Sequence, residues 1–193
     1  MLILGISGSL RADSHNTRLL RAAARLLPED AELELLDPDV LRAVPPYDED
    51  ARGALGEPAA VAELRQKIAR ADGVLFATPE YNSSIPGFLK NALDWVSRPL
   101  AASPLKGKDA AVVGASSGMF GAVWAQAELR KVLVSIGARV VDRELPVGLA
   151  DEAWNADGSL ASVELSELLA DHIVALTAAI DLTDASRMLA RAA

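Results

Sequence analysis

The chain has no cysteine, which excludes disulfides, thiolate metal sites and cysteine nucleophiles together. Histidine occurs only twice. Neither His15 nor His172 stands in a serine–histidine–carboxylate pattern, so neither is expected to act in catalysis, and no metal site is expected. No uninterrupted apolar run approaches the roughly 18 residues of a membrane span. The opening "MLILG" has no basic segment ahead of it, which argues against a signal peptide. Basic charge is also short, with 19 Lys and Arg against 27 Asp and Glu, a formal net charge of −8. A nucleic-acid binder needs a clustered basic excess, and none is visible. These absences lead to the expectation of a cytoplasmic protein with neither nucleic acid nor membrane as partner. They also set a condition: any anionic ligand must be held by local donors against the overall field.

What is present is a 193-residue chain that is 51% hydrophobic, long enough to bury a core as one domain, 1–193. Apolar runs and helical spacing alternate along it. Strands are expected at 2–6, at "AELELLD" (31–37), at "DGVLFAT" (72–78), at "DAAVVGASSG" (109–118) and at "ARVVDREL" (138–145). Helices are expected at 15–27, 58–71, 86–98, 119–137 and 162–180, with 181–193 as an extension or a frayed tail. Pro86 suits a first helical turn, and Gly137 suits a C-terminal stop. The stretch "PDVLRAVPPYDEDARGALGEP" reads largely as loop, with Asp48, Glu49 and Asp50 as a solvated charge run. Five strand–helix alternations imply a parallel sheet covered on both faces. The expected class is α/β, a three-layer doubly wound fold with five parallel strands in the flavodoxin-like order 2-1-3-4-5.

In such a sheet, ligands bind beyond the carboxyl ends of the strands. The segments following strands 1, 3 and 4 are "SGSLRADSHNT", "TPEYNSS" and "GASSGMFG", all rich in small and hydrogen-bonding residues. Gly8 is expected to permit a turn there. Ser9 and Ser14 offer hydroxyls, Arg11 a permanent charge, and the start of the 15–27 helix its unpaired N–H groups. That combination reads as a phosphate cradle; the plain alternative is a helix cap with a solvated arginine. The loop is neither a Walker P-loop, lacking "GK[ST]", nor G-x-G-x-x-G.

"GSLRADSHNTRLL", "VPPYDED", "PEYNSSIPGFLKNALDWVSR" and "GASSGMFGAVWAQAELRKVL" together resemble the NADPH-dependent FMN reductases, the family of quinone, azo-dye and chromate reductases. The matches run from residue 5 to about 142, and "DGSL" near 157–160 also fits. The resemblance implies a flavodoxin-like fold with FMN as cofactor and NADPH or NADH as co-substrate. By that resemblance, Ser9, Arg11, Ser14 and Asn16 hold the FMN phosphate, with His15 and Thr17 in the same cofactor-binding segment. Pro79, Glu80, Tyr81 and Asn82 wrap the flavin ring. Ala115, Ser116, Ser117 and Gly118 lie against its pyrimidine side and the ribityl chain. No side chain is required as an obligatory acid or base, because the flavin N5 carries the chemistry. Phe88 and Trp95 read as core or subunit contact, and Tyr47 as a neighbour of the site.

The implied activity passes hydride from NAD(P)H through FMN to a small electron acceptor such as a quinone. One rival is a flavodoxin-like electron carrier, although the phosphate loop has Arg11 and lacks the Ser/Thr-x-Thr-Gly pattern. A response-regulator domain is a weaker rival, since Ser7 and Ser9 stand where an acidic pair would be. The resemblance departs at Trp124, two residues before Gln126, where the family often carries an arginine at a subunit contact. A homodimer through helices 86–98 and 119–137 is expected, with a homotetramer as the alternative. The acceptor and the choice between NADPH and NADH stay open, since no arginine for a 2′-phosphate can be placed from the sequence.

Overall fold

The computed structural model describes residues 1–192; Ala193, the last residue of the expected tail, lies outside the described residues. In chain order the elements are β1 (Leu2–Ser7), α1 (His15–Ala24), β2 (Glu32–Leu35), α2 (Pro38–Arg42), α3 (Glu49–Leu55), α4 (Ala59–Arg70) and β3 (Gly73–Thr78). Then follow α5 (Gly87–Val96), β4 (Asp109–Ala115), α6 (Val123–Ile136), β5 (Arg139–Val140), β6 (Pro146–Val147) and α7 (Val163–Ala192). The sheet runs β2-β1-β3-β4-β5, with β6 also on β4, and every pairing is parallel. This is the expected doubly wound order.

Strands β3 and β4 are buried along their whole length, the mark of a parallel sheet covered on both sides. Because successive side chains point to opposite faces, adjacent residues feed different cores. Leu4, Phe76 and Val112 meet Leu64, Leu89 and Leu129 on one face. Ile3, Leu75 and Val113 meet Leu19, Leu20, Ile173 and Leu176 on the other. Trp95 is buried in the first of these cores and Phe88 packs against it. Trp95 Nε1 donates to the Pro45 carbonyl at 2.8 Å.

Three expectations need correction. The 38–58 stretch is not mainly loop, because its turn-forming residues act as helix starts. Asp37 caps α2 by accepting the Asp39 amide at 2.9 Å, and Pro38 fits the first turn. Asp48 accepts the Asp50 amide at 2.9 Å, and Glu49 and Asp50 open α3, where acidic groups favour the helix dipole. The fifth strand, expected as one run over 138–145, is confined to Arg139–Val140, and β6 follows beyond that run at Pro146–Val147. Between them the buried Gln126 takes the place of a strand neighbour, accepting from the Leu145 amide and donating to its carbonyl, both at 3.1 Å. Helix α6 begins at Val123 rather than 119 because Gly121 and Ala122 both have positive φ. A Cβ at Gly121 would sit 2.3 Å from the Pro146 backbone, so the chain turns there on glycine alone. The segment 181–192 extends α7 without a break.

One polar tie spans the sheet's rim. Asn16, near the start of α1, donates Nδ2–H to the Ala115 carbonyl at 2.9 Å and accepts the Ala115 amide on Oδ1 at 3.0 Å. This two-bond clamp imitates a strand neighbour for the end of β4, and it is buried. Asn16→Ala should leave both Ala115 groups unpaired and cost roughly 2–4 kcal/mol, read as the shift in urea unfolding; a loss below about 1 kcal/mol would contradict the clamp's role.

His172 on α7 is buried, with Nδ1 donating to the Leu168 carbonyl at 2.8 Å. Burial pushes its pKa below the ordinary 6.5. The unfolded chain therefore takes up a proton that the folded chain resists. Stability should fall as pH drops from the unfolded value toward the lower folded one, and should level off beneath it. Urea unfolding from pH 7.5 to 5 should show a smaller loss for His172→Leu than for the unaltered chain; parallel curves would contradict this.

Candidate functional site

The site lies beyond the carboxyl ends of β1, β3 and β4. A cavity of about 250 Å³ is lined by Ser9, Arg11, Ser14, His15 and Asn16 from the first loop, Pro79, Glu80 and Tyr81 from the second, and Ala115, Ser116, Ser117 and Gly118 from the third. Three segments distant in sequence thus meet in one crevice, as strand order β1-β3-β4 requires. Thr17 and Asn82, also expected there, do not line it. Thr17 Oγ1 donates to Ser7 Oγ at 3.0 Å behind the loop. Asn82 and Ser83, both at positive φ, form a two-residue hairpin turn closed by paired bonds between Tyr81 and Ser84 at 3.0 and 3.2 Å.

The first loop keeps its donors unspent. Gly8 stands at the bend directly after β1, as expected. Its amide donates to the Ala77 carbonyl at 2.7 Å, and a Cβ would meet Leu89 and Pro79 at 3.1 Å, so its smallness lets the β1 end lie against the second loop. Ser14 caps α1 by accepting the Thr17 amide at 3.2 Å, which leaves its hydroxyl proton free to donate. The amides of His15 and Asn16, in the first turn, make no hydrogen bond among the described residues, and the Arg11 guanidinium makes no hydrogen bond or ion pair there. Aimed N–H groups, a positive helix end and a free guanidinium suit a phosphate dianion. The Asn16 side chain, expected as a phosphate donor, is committed to Ala115; only its amide remains available.

The second loop is fixed from behind. The Glu80 carboxylate accepts the Trp124 and Ala125 amides, both at 3.1 Å, and so caps α6. Glu128 of α6 accepts from Ser84 Oγ at 2.6 Å and from the Ile85 amide at 3.3 Å. Glu80, read from sequence as wrapping a flavin, therefore spends its charge on a helix end. What the loop offers the cavity is the Pro79–Tyr81 backbone and the Tyr81 ring. Tyr47 is absent from the lining and packs edge-on against Trp95, 5.1 Å between ring centres.

A fourth segment closes the rim, and sequence reasoning missed it. Trp154 Nε1 donates to His15 Nδ1 at 3.1 Å. Indole can only donate, so the imidazole proton sits on Nε2, which faces Asp151 Oδ1 at 3.1 Å. Hydrogen bonds from His15 and Ser117 hold the Asp151 carboxyl below its ordinary range. Arg18 covers the Trp154 ring at 4.7 Å. The signal was positional: 149–154 follows β6, whose carboxyl end shares this rim, and one of three tryptophans stands there.

Larger cavities lie elsewhere. The one between β5 and α7, about 580 Å³, has Asp109 and Arg139 in its wall. Those two are bound to each other by two 2.8 Å bonds, so its strongest polar groups are spent. Among the described residues, no helix is long and apolar enough to cross a membrane.

The family model described as NADPH-dependent FMN reductase matches residues 1–152. An NAD(P)H-dependent FMN reductase of Pseudomonas aeruginosa is 44% identical over 175 residues, 90% of this chain and 92% of its own. A 2-hydroxy-1,4-benzoquinone reductase of a Burkholderia species is 38% identical over 165 residues, 85% and 87% of the two chains. Among solved structures, the flavoenzyme NAD(P)H:(acceptor) oxidoreductase FerB of Paracoccus denitrificans aligns with a TM-score of 0.78 at 34% identity, covering 95% of this chain and 97% of that one. The fold, the cradle of unspent donors and these likenesses agree: the chain belongs to the NADPH-dependent FMN reductase family.

Proposed function

We propose that this protein is a cytoplasmic homodimer that uses FMN to reduce quinone-like acceptors at the expense of NAD(P)H. The observation that carries the cofactor assignment is the meeting of three loops around one cavity whose first wall keeps the Arg11 guanidinium and the His15 and Asn16 amides without a hydrogen-bond partner among the described residues. The chemistry that bound FMN supplies is hydride acceptance from a nicotinamide and delivery of the electrons to a second substrate.

The chain's own residues do the placing. Ser9, Ser14, Arg11 and the α1 amides hold the phosphate. Pro79, Tyr81 and the 115–118 backbone form the slot for the ring, with Asn82 shaping the turn behind it. Glu80 and Glu128 keep that slot rigid through α6. Backbone N–H groups beside the ring would stabilise the negative charge that reduction places on it. A quinone acceptor is supported by the benzoquinone reductase among the relatives. Purified protein loaded with FMN should lose its visible flavin absorbance when NADPH is added without oxygen, and a benzoquinone should restore it. Retention of colour under excess NADPH and NADH would leave an electron carrier as the better reading.

The dimer reading rests on a patch beside the cavity. Met119, Phe120 and Trp124 are 73%, 59% and 50% exposed, and Phe120 and Trp124 meet edge to face at 5.0 Å. Tyr81 and Leu149 adjoin them: Glu80 binds the Trp124 amide, and the Leu149 amide donates to the Gly118 carbonyl at 3.0 Å. An apolar patch at the mouth of a site is the surface a second copy would cover. Sedimentation should show a dimer, and Phe120→Glu with Trp124→Glu should give a folded monomer. A dimer unmoved by both changes would place the contact elsewhere.

A further inference from the structure

The serine hydroxyls around the flavin cavity do not all face it in the same sense. In the first loop, Ser9 Oγ accepts the Arg11 amide at 3.5 Å and Ser14 Oγ accepts the Thr17 amide at 3.2 Å. Both keep a proton to give, which suits an anion. In the third loop the protons are spent. Ser116 Oγ donates to the Gly118 carbonyl at 3.3 Å. Ser117 is hydrogen-bonded to the Asp151 carboxylate. A carboxylate only accepts, so the Ser117 proton is turned to Asp151 and its lone pairs are left for the cavity that it lines.

A relay outside the cavity fixes that polarity. Trp154 Nε1 donates to His15 Nδ1 at 3.1 Å, and the two rings lie within 5° of parallel, which suits a bond in the ring plane. The imidazole proton is thereby held on Nε2, facing Asp151 Oδ1 at 3.1 Å. Asp151 thus takes one donor from the first loop and one from the third. Trp154 is held in turn by Arg18 over its ring at 4.7 Å and by a backbone bridge to Leu160. The Leu149 and Ala150 amides donate to the Gly118 and Ser116 carbonyls, both at 3.0 Å, and close the same seam. The Asp151 side chain is 69% exposed, so hydrogen bonds rather than packing decide where it stands. A pair so exposed adds little to stability, and its value lies in what it orients.

We infer that Asp151, held by His15, is a positioning residue that makes Ser117 an acceptor for a ribityl hydroxyl of the flavin. One carboxylate separates Ser117 from His15 in the first turn of α1, beside the proposed phosphate cradle. The group next to the phosphate in FMN is the ribityl chain, whose hydroxyls have protons to give. The cavity is then divided by polarity, with donors at the phosphate and acceptors beside the polyol. The inference rests on the FMN reading and adds to it Asp151 and Trp154, which do not line the cavity.

The test titrates flavin-free protein with riboflavin and with lumiflavin, which has a methyl group in place of the ribityl chain. Neither carries the phosphate, on which removal of a charge near Arg11 would act directly. Riboflavin should bind more tightly than lumiflavin. Asp151→Asn puts an N–H donor beside Ser117 and turns the hydroxyl proton toward the cavity. Riboflavin affinity should then fall about fivefold, the worth of one neutral hydrogen bond, while lumiflavin affinity holds. Ser117→Ala should give the same pattern, and the double variant should lose no more than Ser117→Ala alone. Nitrogen NMR should show His15 protonated on Nε2 and bare on Nδ1. Equal losses for the two flavins would reduce the relay to a brace, and additive losses would put Asp151 itself on the flavin; either overturns the proposal. So would an unchanged riboflavin affinity, the opposite tautomer, or protein that takes up FMN but holds riboflavin no better than lumiflavin. Protein that takes up no FMN refutes the flavin reading instead.

Discussion

The structure depends on holding an anion in a protein that is itself strongly anionic. With a net charge of −8, the long-range field repels a phosphate, and attraction has to come from donors at hydrogen-bond range. Donors of that kind stand at the start of α1, where the amides of His15 and Asn16 make no hydrogen bond among the described residues. The cap residue, Ser14, satisfies the Thr17 amide with its hydroxyl and the Arg18 amide with its carbonyl. The His15 and Asn16 amides have a fixed direction because α1 is anchored, by Leu19 and Leu20 in the core and by the Asn16 clamp on the end of β4. The same clamp sets the spacing between the loop that would hold a phosphate and the loop that would hold the rest of the nucleotide.

A pattern follows for the polar side chains around the rim. Asn16, Glu80, Gln126 and Glu128 all bind backbone groups of neighbouring segments rather than facing the cavity with free valences. Each supplies what an irregular loop lacks, a partner for a buried or helix-terminal amide. The cavity walls are thereby left to backbone, serine hydroxyls, the Tyr81 ring and the Arg11 guanidinium. Such a site is stiff where it must fit a flat ring and adaptable where it meets charge. The His15–Asp151–Trp154 array extends the bracing to the segment after β6, and the exposed Phe120–Trp124 pair stands immediately outside it.

Much of this was legible in the sequence. Strand order follows from five apolar runs divided by helical spacing, and three donor-rich strand ends in adjacent positions then name the crevice. Reading failed where one residue type serves two purposes. Pro38, Asp48 and Asp50 are loop formers that are equally good helix starters, and α2 and α3 were hidden for that reason. The break in the last strand depends on Gln126, 19 positions before the residue it replaces a neighbour for. Glu80 and Asn16 read as ligands from the residues around them; both line the cavity, but their side chains are committed to the amides of Trp124 and Ala115, which have no signature of their own.

If the unspent donors at the α1 terminus carry the cofactor, the phosphate must supply most of its grip. The direct measurement is the affinity of the flavin-free protein for FMN and for riboflavin, which differ by that group alone, followed by fluorescence quenching at one ionic strength. FMN should bind about a hundredfold or more tightly. Equal affinities would show that the ring slot holds the flavin unaided and that the cradle has another purpose.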